Sequence, residues 1–133
     1  MDNKAADLCI YRVNNAEETL DTAKLCIEHG RYKDAINRCY YAAFYAVKAV
    51  LALEKIDFKR HKDAVSYFNQ NYIATGIFKR EIGKLLGRLK RKRETSDYDD
   101  FYVASYDEVL EQYEAAEQIV KNVLMLLKDK GIY

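Results

Sequence analysis

Not one proline occurs among the 133 residues of this chain, and glycine occurs only five times. Proline removes a backbone donor and blocks the preceding turn, and glycine loses the most freedom on ordering, so a chain poor in both can run through long helices. The same shortage denies a multi-stranded fold its tight turns. Helices are therefore expected to dominate.

Apolar spacing divides the chain into segments. Val13, Ala16, Leu20, Ala23 and Ile27 recur at intervals of three and four, with Glu17, Glu18, Asp21 and Lys24 on the opposite face, as in an amphipathic helix. His29 and Gly30 suit its end, the glycine as a left-handed cap and the imidazole against the negative end of the dipole. A second helix, from about Tyr32 to Glu54, carries Ile36, Tyr40, Ala43, Val47 and Val50 on one stripe, widened by Cys39, Phe44 and Leu51. So broad an apolar face marks a central helix. Beyond the polar stretch Lys55 to Arg60, the residues Val65, Phe68 and Tyr72 define a short third helix, with a turn at Thr75 and Gly76. A fourth helix has Phe78, Ile82, Leu85, Leu86 and Leu89. Ser105 and Glu108, spaced as a capping box, open a fifth that continues through Leu110, Tyr113, Ala116, Val120, Val123 and Leu127 to Gly131. The expected fold is all-α: a single domain over residues 1–133, built as an antiparallel bundle of four to five helices.

Composition sets outer bounds. With 50% hydrophobic and 32% charged residues, the chain reads as globular, and no run approaches the roughly 18 apolar residues of a membrane span. Met1 to Ala5 lacks the apolar stretch of a secretory signal, so a soluble cytoplasmic protein without membrane contact is expected. Cys9, Cys26 and Cys39 are odd in number and show no CxxC spacing, which favours buried thiols over disulfides or zinc. There is no Gly-rich phosphate loop, no HExxH and no paired Glu-x-x-His. Neither a cofactor nor a metal is expected. A net charge of +1 gives no global pull toward nucleic acid, so any such pull must come from how charges are placed.

That placement is uneven. Lys79, Arg80, Lys84, Arg88, Lys90, Arg91, Lys92 and Arg93 face one acid, Glu81, in the fourth helix, whereas Glu94 to Val120 holds nine acids and no base. Helices four and five running antiparallel would line these charges along a solvated seam. Alternatively, Lys90, Arg91, Lys92 and Arg93 project a basic edge able to hold a phosphodiester backbone. Next comes Arg93-Glu94-Thr95-Ser96-Asp97-Tyr98, read as a short inter-helix segment. Asp97 could simply pair with Arg93, or the guanidinium could stabilise charge on a phosphoryl group with the Tyr98 phenol hydrogen-bonding to it. His61, between Arg60 and Lys62, sits at the unfavourable positive end of the third helix. Of twelve tyrosines, Tyr40, Tyr41 and Tyr45 cluster on the second helix, while Tyr98, Tyr102 and Tyr106 are four apart and could share a face. Core and interface roles suit such rings, and base stacking is the alternative.

Taken in order, Glu28-His29-Gly30-Arg31-Tyr32, Arg38-Cys39-Tyr40-Tyr41-Ala42-Ala43-Phe44, Arg60-His61-Lys62 and the Arg93-x-x-x-Asp97-Tyr98 spacing resemble the HEPN family, small helical proteins of prokaryotes. The likeness covers roughly Val13 to Leu127. It implies a bundle that forms a homodimer, with the two arginine motifs meeting in a cleft between subunits. It also implies work beside a minimal nucleotidyltransferase in a toxin and antitoxin or related defence arrangement, with RNA or nucleotide near Arg93. In that setting Arg93 holds phosphate, Asp97 orients it and Tyr98 donates a hydrogen bond. Lys90, Arg91, Lys92 and His61 add to the binding surface.

Nuclease members of the family follow the arginine with a histidine about four to six residues later and cut RNA without metal. Here Tyr98 occupies that place, and a phenol with a reference pKa near ~10 is a poor base at neutral pH. A metal-independent endoribonuclease would therefore need Tyr98, or His61 brought across the dimer, as its base. The tyrosine that partner enzymes adenylylate in some members has no match, because Asp100 stands two residues beyond Tyr98. A third reading is a non-enzymatic adaptor whose acidic stretch, Asp97 to Glu117, docks a basic protein.

Overall fold

A computed structural model describes residues 3–133. Met1 and Asp2, part of the stretch read above as lacking a secretory signal, lie outside the described residues. The helices are α1 (Asn3–Glu28), α2 (Tyr32–Ala52), α3 (His61–Phe68), α4 (Arg80–Tyr98) and α5 (Tyr106–Asp129), with a single π-helical turn, Asn69–Ile73, behind α3. No strand occurs among the described residues, and no helix there is long and apolar enough to cross a membrane.

The broad stripe of α2 makes it the hub, as its composition foretells. Tyr40, Ala43, Val47 and Val50 are fully buried, and α2 packs against α1, α3, α4 and α5. The α1–α2 hairpin closes through Gly30, whose φ is +71°. Its N–H reaches the Ile27 carbonyl, and that of Arg31 reaches Cys26 at 2.7 Å, the paired bonds of a left-handed helix end. Gly131 repeats the device after α5, with bonds from Gly131 to Lys128 and Ile132 to Leu127.

The sequence reading of the α3 region understates it. After Phe68 the turn widens, and the Ala74 N–H bonds the Asn69 carbonyl five residues back. The widened turn sets the Tyr72 ring against Phe68, with centroids 5.5 Å apart, and hands its hydroxyl to Glu54. Of the three cysteines, Cys9 and Cys39 are buried and Cys26 is only partly so. Burial pushes the Cys39 thiol up to about 12, as for a packed, unreactive group.

One expectation needs correcting: Arg93 to Tyr98 is not an inter-helix segment. It forms the last turns of α4, because Lys90 and Glu94, then Arg93 and Asp97, pair across one helical turn, and Ser96 packs inside at 1% exposure. The helix stops at Asp99, which is extended at φ −103° and ψ 103°. Tyr98, Tyr102 and Tyr106 consequently share no helical face. They sit at the end of α4, in the loop and at the start of α5.

Glu108 fastens that loop. Ser105 caps α5 by accepting from the Glu108 N–H at 3.1 Å, while the Glu108 carboxylate takes Lys92 of α4 at 3.0 Å and the Tyr102 hydroxyl. These partners hold its carboxyl far below the usual carboxylate range, at about 2, with the Tyr102 hydrogen bond contributing most. A depressed acid stabilises the fold above its unfolded titration near 4.5 and loses that contribution as pH falls toward the folded value. Since more than a third of the side chain is exposed, solvent screening limits the effect to about 1 kcal/mol. Glu108→Gln should therefore lower the urea midpoint at pH 7 and leave it nearly unchanged at pH 2, as read by circular dichroism.

Candidate functional site

Three elements meet at one end of the bundle. On the second helix, Tyr40 is buried and Tyr41 half-buried. One turn on stands Phe44, so that the three rings form a bed, with Tyr40 and Phe44 stacked 5.9 Å apart and Tyr41 edge-on to Tyr40 at 5.1 Å. From α3, the first residue, His61, lies on this bed with its ring 4.0 Å from Phe44 and 5.6 Å from Tyr41. From α4, the Arg93 guanidinium sits 4.6 Å above the Tyr40 ring and 5.9 Å from Tyr41. Arg38 approaches the Tyr41 ring as well, at 5.3 Å.

A guanidinium over an aromatic face is attracted by the ring quadrupole and held there. One of its nitrogens meets Asp97 at 3.4 Å, a single long contact rather than the paired fork that arginine can make with a carboxylate. Its Nε is buried and unpartnered, and the side chain is 17% exposed. The arginine is therefore aimed by its neighbours and only lightly neutralised.

His61 sits at an unusual place for a cation. Burial, then the charges of Arg93 and Lys48, hold its pKa below the ordinary imidazole value, so the ring is neutral at pH 7 and able to accept a proton. Its Nδ1 lies 3.5 Å from the Tyr40 hydroxyl, which turns Nε2 the other way. Burial raises the Tyr40 phenol above its usual value and keeps it protonated. Together these groups offer a fixed cation, a neutral imidazole and a phenolic hydroxyl within one patch. That set can bind a phosphate and accept a proton beside it.

The residues singled out from sequence divide sharply here. Arg93, Asp97 and His61 come together, and His61 does so within one protomer rather than by way of a second. Tyr98 does not join them. It follows Arg93 by five positions, about 140° around the helix, and is 81% exposed. Lys90, Arg91 and Lys92 project no common edge: Lys90 leans to Glu94 at 3.9 Å, Lys92 crosses to Glu108, and Arg91 lies along α4 near Gly87. The expected α4–α5 seam has one close pair, Lys92 with Glu108, and a depression where Arg88 faces Glu111 and Glu114. Tyr40, Tyr41 and Phe44 were missed as site residues, since a ring on a buried stripe reads as core until its edge is seen to carry a cation. The tyrosine pair three residues after Asn37 and beside Arg38 was the available signal. Among the described residues no group of histidines, cysteines and carboxylates could hold a metal ion.

Comparison with known proteins follows the same residues. The HEPN domain model matches residues 11–128, a span holding all three elements of the site. A UPF0332 protein of Thermotoga maritima is 32% identical over 127 residues, covering 96% of each chain. A protein of Methanocaldococcus jannaschii bearing the name "putative toxin" is 30% identical over 127 residues, spanning 88% of this chain and 84% of its own. A UPF0332 protein of Archaeoglobus fulgidus is 30% identical over 116 residues, 85% of this chain and 92% of its own. With the family model and full-length relatives in agreement, and with the helical bundle both imply, the chain belongs to the HEPN domain family.

Proposed function

We propose that this chain is the HEPN member of a toxin-type pair. It binds RNA or a nucleotide through phosphate at Arg93 and acts beside a minimal nucleotidyltransferase. The observation that carries this reading is the guanidinium 4.6 Å over the Tyr40 ring and 3.4 Å from a single carboxylate oxygen, where an incoming anion can compete for it. The name of one relative matched over 84% of its length, "putative toxin", supports the toxin-type role. A homodimer would bring two such arginines together, and the apolar side chains at the end of α4 and in the loop behind it support association: Tyr98, Phe101 and Val103 are 81%, 93% and 85% exposed, side chains that monomeric surfaces rarely group.

A specific observation favours a second reading, metal-independent cleavage of RNA. In this reading His61, from α3 of the same protomer, would stand in for the histidine that the fourth helix lacks. Nε2 of His61 would take the proton of a ribose 2′-hydroxyl while its oxygen attacks phosphorus. The 5′-oxygen of the next nucleotide would leave with a proton from solvent, giving a 2′,3′-cyclic phosphate and a 5′-hydroxyl. Arg93 would hold the phosphate whose charge grows in the transition state.

The two readings share a test. Titrating the His61 ring by NMR with and without adenosine monophosphate should give a raised pKa in the bound state, since a dianion beside the imidazole offsets the nearby cations. A His61 titration indifferent to saturating nucleotide sinks the assignment. Incubating the protein with single-stranded RNA in chelator then separates binding from cleavage. Products ending in cyclic phosphate, lost in His61→Ala, establish the second reading, and intact RNA at high protein concentration removes it.

A further inference from the structure

The α4 cations that leave the Arg93 patch do not scatter at random. Two depressions lie end to end between α4 and the α3 segment, sharing Asn69. One, of about 500 Å³, is lined by Lys62, Val65, Ser66, Asn69, Gln70 and Lys90. The other, of about 440 Å³, is lined by Asn69, Ile73, Arg80, Gly83 and Lys84. The backbones of α3 and α4 stay apart, His61 and Arg93 reaching the same aromatic bed through their side chains, and on this side the α4 backbone comes close only to the π-helical turn. There the contact is tight, since a Cβ on Gly83 would stand 3.2 Å from Ile73. The result is an open trough whose floor is the close approach that Gly83 allows to Ile73.

Its charge is one-sided. Lys62, Lys90, Arg80 and Lys84 line it together with the neutral donors and acceptors of Ser66, Asn69 and Gln70, and no carboxylate lines either depression. The opposite side of α4 is different in kind: there Arg88 shares its depression with Glu81, Glu111 and Glu114. The charge block read along the sequence is thus sorted by the helix into a face toward α5 lined by both signs and a face toward α3 lined by cations alone, of which Lys90 also leans to Glu94.

We infer that this trough is a binding track for the backbone of a single-stranded nucleic acid, running from the Arg93 and His61 patch to Arg80. The inference rests on the phosphate-binding reading of that patch. Lys62 follows His61 at the start of α3, and Lys90 is one turn from Arg93 on α4, so both walls of the trough lead from the elements that carry the patch. Thirteen residues of helix separate Arg80 from Arg93, about 20 Å, the length of about six stacked nucleotides in one strand. No aromatic ring lines the trough, so recognition there follows phosphates and amide contacts and tolerates any base.

Fluorescence anisotropy with labelled oligouridylates of two and eight nucleotides tests this on the full chain. The octamer is expected to bind at least tenfold tighter than the dinucleotide. Arg80→Glu with Lys84→Glu, at two exposed positions, should cancel that advantage and reduce the salt slope by about 1.4, for two lost contacts at about 0.7 each. Dinucleotide affinity should stay as in the wild type. Equal affinity for both lengths, or an octamer indifferent to the double variant, overturns the track. If the dinucleotide remains sensitive to Arg93→Ala in that case, the anion site survives alone. Octamer binding that needs Arg80 and Lys84 but ignores Arg93→Ala instead removes the anion site and detaches the track from it. Polyglutamate of equal length binding as tightly as the octamer overturns nucleic acid as the occupant.

Discussion

Arg93→Ala should weaken binding of short RNA roughly 10- to 150-fold, the equivalent of about 1.5–3 kcal/mol for hydrogen bonds to a charged group. The fold should hardly notice. What the bundle loses is one cation on a ring and one long ion pair, about 1 kcal/mol together, and both lie at the margin of the core rather than within it. Far-ultraviolet circular dichroism and a urea midpoint close to wild type, alongside collapsed RNA affinity, are the expected combination. Arg93→Lys sharpens the test, because lysine keeps the charge and loses the planar fork placed over Tyr40. Its affinity should fall between wild type and alanine. Wild-type affinity in the alanine variant would leave the patch without its central residue.

Tyr40→Ala is the most damaging single change expected in the molecule. The ring is fully buried, and removing a large aromatic side chain from such a site costs about 3–5 kcal/mol in lost transfer and cavity terms. Domains of ordinary stability have about 5–15 kcal/mol in total, so the variant should melt far below wild type and bind no RNA. Tyr40→Phe distinguishes the ring from its hydroxyl. It keeps the bed under Arg93 and deletes only the group that faces His61 at 3.5 Å. Denaturant midpoints should therefore shift by about 1 kcal/mol, RNA affinity should stay within about twofold, and the His61 titration should move. A small change in Tyr40→Ala stability would mean that the three-element packing at this end is misplaced.

The bundle was largely legible in the sequence because its determinants are local. The spacing of Val13, Ala16, Leu20 and Ala23, the glycine after α1 and the Ser105–Glu108 cap each act within a turn or two. The site was legible only in part, and each shortfall has a physical origin. Arg93 and Asp97 were visible as a pair but were placed in a loop, since a string of polar residues resembles a linker until the turn-by-turn pairing of Lys90 with Glu94 is recognised as helix support. Tyr98 was given a role by adjacency in sequence, which a helix turns into separation in space. The arrival of His61 beside Arg93 depends on the turn at Lys55, on the run to Arg60 and on the packing of α3 against α2, none of which any short motif encodes. The π-helical turn at Asn69–Ile73 also left no mark on the apolar spacing.

The clasp on Tyr102 has one further implication. The loop between α4 and α5 is secured by that ring and by Glu108, so its neighbours Phe101 and Val103 contribute almost nothing to the interior. Substitutions there are filtered only by whatever touches them from outside. Phe101 and Val103 can therefore be exchanged for other side chains with little loss of stability, because the packing beneath does not draw on them.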